Sequence, residues 1–100
     1  MRSTHIFDPT PGTEAWSKVT DMNQARWYPT VLTLADGRIL AASGTGASEV
    51  EVYDPAGGPG GTWTLVTGAT RTFPELYPSL HLLPSGQIFY SRCGWQSADP

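Results

Sequence analysis

The residues of this chain able to carry chemistry are few and widely spaced. Two tyrosines share a Tyr-Pro setting, Tyr28 before Pro29 and Tyr77 before Pro78, while His5 and His81 are far apart and Cys93 stands alone. Phenolate, imidazole and thiolate are donors that a transition metal uses. Two histidines this distant lack the close ligand spacing of a metal site, and one cysteine forms neither an intramolecular disulfide nor a cysteine-based zinc cluster. The stretch Gly44-Thr45-Gly46-Ala47-Ser48-Glu49 has the glycine content of a phosphate loop, but no lysine follows and no helix begins there, so a turn is expected. Asp8, Asp36 and Asp54 each adjoin Gly or Pro, and their carboxylates are expected to cap local amides rather than perform acid–base work. Among these residues the Tyr-Pro pair matters most, because it marks a repeat.

The elements that would position Tyr28 begin with a hairpin. Two runs rich in β-branched and aliphatic residues, 28–35 and 38–43, flank Asp36-Gly37, whose residue types supply the positive φ angles of a tight turn. A weaker copy follows from Tyr77 to Tyr90. Thr4–Pro9 reads as a short strand closed by Asp-Pro, and Ala15–Thr20, centred on Trp16, as its partner. Residues 21–25 form a polar connection. Glu49–Asp54 alternates acidic and apolar residues with period two, the pattern of a strand with one solvated face. Gly57 to Gly61 is a flexible turn, and Thr62–Thr67 around Trp63 is the partner strand.

Placed side by side, the two halves match at Asp8-Pro9 with Asp54-Pro55, Trp16 with Trp63, Tyr28-Pro29 with Tyr77-Pro78, and Gly37 with Gly86, at offsets of 46, 47, 49 and 49 residues. Four strands in a period of about 40 to 50 residues mark a β-propeller blade. The expected fold is therefore all-β: one complete four-stranded antiparallel blade flanked by two half blades. Residues 1–27 hold the last two strands of a preceding blade and a linker, 28–68 the complete blade, and 69–100 a linker and the first two strands of a following blade. Two blades' worth of chain does not close a ring of about 4 to 8 blades. The partners implied are the remaining blades or copies of the chain itself, and starting at Met1 in mid-blade favours a fragment.

Bulk properties agree and exclude other classes. Hydrophobic residues at 39%, charged residues at 15%, eleven Gly and nine Pro in 100 residues suit many short strands joined by turns. The net charge of −3 is scattered, leaving no basic stripe for nucleic acid and no polybasic membrane anchor. No run reaches the roughly 18 apolar residues of a membrane span. The N-terminal Met1-Arg2-Ser3-Thr4-His5 lacks the apolar core of a signal peptide, so any export signal lies outside this chain.

Ala25-Arg26-Trp27-Tyr28-Pro29-Thr30, then Asp36-Gly37-Arg38-Ile39-Leu40, Val52-Tyr53-Asp54-Pro55 and Thr62-Trp63-Thr64, with the second hairpin from Tyr77, resemble the kelch-type propeller of the galactose oxidase and glyoxal oxidase family, the copper radical oxidases. The resemblance covers nearly the whole chain. It implies a parent that oxidises a primary alcohol or aldehyde, including carbohydrate substrates, and reduces O₂ to H₂O₂, using copper and a tyrosyl radical on a tyrosine thioether-linked to cysteine. By motif Tyr28 corresponds to that copper-binding, thioether-linked tyrosine, the one catalytic and metal position carried over. An extracellular or periplasmic setting is also implied.

The same resemblance locates what is missing. The cysteine partner sits one repeat earlier, before Met1, and is not Cys93; a second tyrosine and two histidines come from later parts of the family's chain. The indole that stacks on the thioether falls near Gly46, which has no side chain. This chain alone is therefore expected to be inactive and without a cofactor. The alternative is a non-catalytic kelch-type module that binds protein or glycan and closes by oligomerising.

For each residue there is also a packing explanation. Tyr77 repeats Tyr28, which suits packing at the start of an inner strand, with only Arg26-Trp27 setting Tyr28 apart. Trp27 suits packing beside a strand, and Trp16 and Trp63, at matched positions, suit space-filling between blades. His81 aligns with Leu32 and is expected in a core or inter-blade position. His5 has no visible partner, and Trp95 is uninformative.

Overall fold

The computed structural model describes residues 1–45, 47–73 and 76–91. Gly46, Cys93 and Trp95, singled out above, lie outside the described residues. Among the described residues there are eight strands: β1 (Thr4–Asp8), β2 (Ala15–Val19), β3 (Thr30–Thr33), β4 (Ile39–Ala42), β5 (Glu51–Asp54), β6 (Thr62–Leu65), β7 (Leu80–Leu82) and β8 (Ile88–Tyr90), with one 3-10 turn at Thr67–Ala69. They form three antiparallel sheets: β1-β2, the four-stranded β3-β4-β5-β6, and β7-β8. The architecture is all-β, one complete blade between two half blades.

The hairpin turn differs in detail from the expectation. Leu34 N donates to Arg38 O at 2.8 Å and Gly37 N to Leu34 O at 3.0 Å, so three residues, not two, form the loop. Only Gly37 takes a positive φ, +88°. Asp36 instead caps the turn, accepting from Arg38 N at 3.1 Å and Arg38 Nε at 2.8 Å. The second hairpin repeats this around Leu83, Gln87 and Gly86, the last also at +88°. The repeat offset of 49 therefore holds in the backbone. Asp8 and Asp54 likewise cap Thr10 N and Ala56 N, each at 2.9 Å, as expected of Asp-Pro turns.

The complete sheet carries a buried cluster on each face, and these two clusters are the core. On one face Ala41, Tyr53 and Trp63 cluster with Val19, Met22 and Ile39; on the other Leu40, Ala42 and Val50 cluster with neighbours that include Leu80 and Ile88. Tyr53 and Trp63 pack with ring centroids 5.2 Å apart, a contact worth about 0.5–1.5 kcal/mol beyond area burial. The expectation of a solvated face on residues 49–54 is overturned, since Glu51 is fully buried. Period two is present, but the acidic position faces a cation inside the protein.

The paired strands are shorter than the runs read from sequence. Pairing covers Thr30–Thr33 and Ile39–Ala42 rather than 28–35 and 38–43. Positive φ angles at Tyr28 (64°) and Ser43 (65°) keep both residues out of extended geometry and bound the hairpin. Tyr28 thus precedes the first strand of the blade instead of opening it.

Candidate functional site

The local architecture around Tyr28 is built by a strap, residues 23–26, lying across the end of the four-stranded sheet. Its anchor is an ion pair: Arg26 Nη2 lies 2.9 Å from Glu51 Oε2, with both side chains fully excluded from solvent. Arg26 also donates from Nη1 to Ser43 O at 2.8 Å and from Nη2 to Glu49 O at 2.6 Å. The Glu51 carboxylate accepts on both oxygens. Oε1 takes Asn23 N at 2.8 Å and Asn23 Nδ2 at 3.2 Å; Oε2 takes Gln24 N at 3.1 Å in addition to Arg26. A buried charge pair is tolerated only when its remaining donors and acceptors are met, and here every carboxylate oxygen has two partners. Arg26 Nε has none.

The strap is stitched on further by Glu49 N to Gln24 Oε1 at 2.9 Å, by Asn23 Nδ2 to Trp63 O at 3.0 Å and by Arg26 N to Met1 O at 2.8 Å. Gly44 permits the close approach: a Cβ there would lie 3.0 Å from Arg26 Cβ, and its φ is +103°. Thr45 N then holds Trp27 O at 2.8 Å. The consequence is positional. With Arg26 fixed, Trp27 and Tyr28 are delivered to one end of the sheet.

There they form an exposed aromatic row. Trp27 and Tyr28 have centroids 5.0 Å apart, and Tyr28 and Tyr77 5.2 Å apart. All three are roughly half exposed, at 52%, 43% and 54%. Tyr77 N donates to Tyr28 O at 3.4 Å and Thr30 Oγ1 to Pro78 O at 2.7 Å, tying the two Tyr-Pro segments together. Both tyrosines hold positive φ angles, 64° and 52°. For a bulky residue that conformation is a strained one of order 1–3 kcal/mol, of the kind that collects at functional sites; its duplication at Tyr77 equally suits a shared structural corner.

The other candidates are dispersed. His81 is exposed rather than in the core: Nε2 lies 2.8 Å from Ser91 Oγ, and the ring is 6.0 Å from Phe89. Its matched position, Leu32, is half-buried, and His81 stays outside because no further sheet covers that face among the described residues. His5 is exposed at the rim of a cleft beside β1. Trp63 is buried, with Nε1 donating to Thr4 Oγ1 at 3.1 Å, whereas Trp16 is 69% exposed. Among the described residues no three His, Cys, Asp or Glu side chains gather as metal ligands. Tyr28 supplies a single phenolic oxygen, and these residues by themselves do not make a copper site. Hydrogen bonds from Thr10 hold the Asp8 carboxyl below the ordinary aspartate range, and those from Arg38 do the same for Asp36.

Arg26, Glu51, Asn23 and Gln24 were not foreseen as a unit. The available signal was slight: one arginine immediately before the Trp-Tyr-Pro motif, and a central acid in a strand whose acidic positions alternate with apolar ones.

Comparison with known proteins gives one relationship to weigh against this geometry. The chain is similar to the aldehyde oxidase GLOX of Vitis pseudoreticulata, 32% identical over 77 residues, a stretch that is 74% of this chain and 15% of that protein. The chain therefore matches a small part of the relative's length. No protein-family model matches the chain.

Proposed function

We propose that this chain is a propeller segment of a glyoxal oxidase-like copper radical oxidase, in which Tyr28 is the tyrosine that carries the cofactor. The observation that carries the reading is the similarity to a protein named as an aldehyde oxidase. The blade architecture and the kelch-like motifs around Asp36-Gly37 and Val52-Tyr53-Asp54-Pro55 support it. The parent reaction takes two electrons from a primary alcohol or an aldehyde and passes them, with two protons, to O₂, releasing H₂O₂. From an aldehyde, one water supplies the second oxygen of the acid.

In this reading the described residues other than Tyr28 position rather than react. The buried Arg26–Glu51 pair sets the height of Trp27 and Tyr28 at the end of the sheet, and Tyr77 packs against the Tyr28 ring. Copper, when bound in the parent, supplies a one-electron acceptor next to a tyrosine that supplies the other. Its remaining ligands and the cysteine come from outside this segment.

The second reading, a kelch-type module that binds protein or glycan without catalysis, is favoured by one observation: Tyr77 reproduces both the Tyr-Pro motif and the positive φ of Tyr28. Peroxide release by the copper-loaded longer protein with an aldehyde or alcohol separates the two. The oxidase reading expects release that Tyr28→Phe abolishes and Tyr77→Phe retains. Absence of peroxide with every aldehyde and primary alcohol tried leaves the binding module.

A further inference from the structure

We propose that Tyr28 and Tyr77 form an oxidative modification site: under a one-electron oxidant their phenols couple, ortho carbon to ortho carbon, into a dityrosine that ties the complete blade to the half blade after it. The two rings touch, with centroids 5.2 Å apart and planes tilted by 43°, inside the range of a direct aromatic pair. The remaining two tyrosines meet other rings, Tyr53 against Trp63 and Tyr90 against Phe73. Tyr28 and Tyr77 are therefore the phenols that the fold sets ring to ring.

The contact is held by the two Tyr-Pro corners that carry it. Both tyrosines take the left-handed backbone, at φ 64° and 52°, so the two side chains leave corners of the same shape. Tyr77 N donates to Tyr28 O at 3.4 Å, and Thr30 Oγ1 donates to Pro78 O at 2.7 Å. Each corner is also fixed from behind: Pro78 is fully buried, while Thr45 N donates to Trp27 O at 2.8 Å and Arg26 is locked in its ion pair with Glu51. Separating the two backbones breaks these contacts. Every group named lies between Arg26 and Pro78, so the juxtaposition belongs to a longer protein as much as to this chain.

The chemistry balances within the pair and its oxidant. Each phenol gives up one electron and its hydroxyl proton to become a phenoxyl radical, whose unpaired electron is shared with the two ortho carbons of the ring. The two radicals join by one C–C bond, and the hydrogen on each joined carbon then moves to the phenol oxygen and restores both rings. Two electrons and two protons leave in all. Persulfate takes up the two electrons as two sulfates; hydrogen peroxide takes up two electrons and two protons as two waters. The coupling holds under either reading of the function. In the oxidase reading peroxide is itself a product, and a thioether on one ortho carbon of Tyr28 leaves the other free to couple.

The test illuminates the full 100-residue chain, at high dilution, with tris(bipyridyl)ruthenium(II) and persulfate until tyrosine is measurably consumed, then digests it with trypsin and weighs the peptides. Expected is a product at the mass of one chain less two hydrogens, in which peptide 27–38 is joined to peptide 72–92 and fragmentation places the bond on Tyr77 rather than Tyr90. This product and its dityrosine fluorescence are lost in Tyr28→Phe and in Tyr77→Phe and retained in Tyr90→Phe. The map of the unsubstituted chain stands even where a variant fails to fold. Coupling to Tyr53 or Tyr90 as readily as to Tyr77 overturns the site. So does consumption of tyrosine with no bond between Tyr28 and Tyr77.

Discussion

Arg26 and Glu51 form a fully buried ion pair, Nη2 to Oε2 at 2.9 Å, between a loop and the third strand of the only complete blade among the described residues. Its worth lies in what its loss would leave behind. Removing one partner strands a charge in the interior, which costs about 3–5 kcal/mol. Arg26→Ala and Glu51→Ala are therefore each expected to lower the urea unfolding free energy by about that amount, enough to unfold much of a marginal chain. Glu51→Gln leaves one acceptor oxygen, which serves either the Asn23 donors or those of Gln24 and Arg26 but not both sets, and is expected to fall between wild type and Glu51→Ala. Equal stability of Glu51→Ala and wild type would mean that the strap is not held by this pair.

Two glycines with similar backbone angles should respond differently to alanine. At Gly37 (φ +88°) a Cβ meets nothing within 4 Å, so only the left-handed backbone penalty of about 1–2 kcal/mol applies. At Gly44 (φ +103°) the same Cβ would press on Arg26 Cβ and Trp27 N at 3.0 and 3.1 Å. Gly44→Ala is expected to be the more damaging, and to change the fluorescence of Trp27 as well. Thermal or urea unfolding of the two variants side by side decides it.

Acid should weaken the first hairpin through its turn. Asp36 is held below the ordinary aspartate value of about 3.9 by the backbone and side chain of Arg38, so the folded state favours the carboxylate. The stabilisation is present above the unfolded pKa and is lost as pH falls through the lower folded value. Titration of the Asp36 carboxyl by NMR is expected to give a midpoint under about 3.9. The difference in unfolding midpoint between wild type and Asp36→Asn should shrink as pH falls below about 4. A difference that is constant from neutral pH to pH about 2 would remove the carboxylate from the account.

The blade was readable because its signals are local and repeated. Asp36-Gly37 and Ser85-Gly86 mark two turns, and the Asp-Pro, Trp and Tyr-Pro positions recur at a nearly constant offset, so strand order followed from spacing. Burial did not follow in the same way. Glu51 alternates with apolar residues as a solvated acid would, and its cation is 25 positions earlier in a segment that reads as polar loop. Only the fold brings them together. Tyr28 was misplaced for another reason: a residue before proline ordinarily takes extended geometry, whereas tertiary contacts to Tyr77 accompany a positive φ here. His81 and Trp16 were read as packing residues because they align with Leu32 and Trp63 in the repeat, yet each lies on a half blade with a face left uncovered among the described residues.

The most direct test of the oxidase reading is the covalent state of Tyr28. The longer protein containing this segment would be loaded with Cu(II) in air, digested, and its peptides weighed. The account predicts that the Tyr28 peptide is joined to a cysteine peptide from upstream, at the summed mass less two hydrogens, in wild type and Tyr77→Phe but not in Tyr28→Phe. A Tyr28 peptide recovered only at its unmodified mass would contradict it.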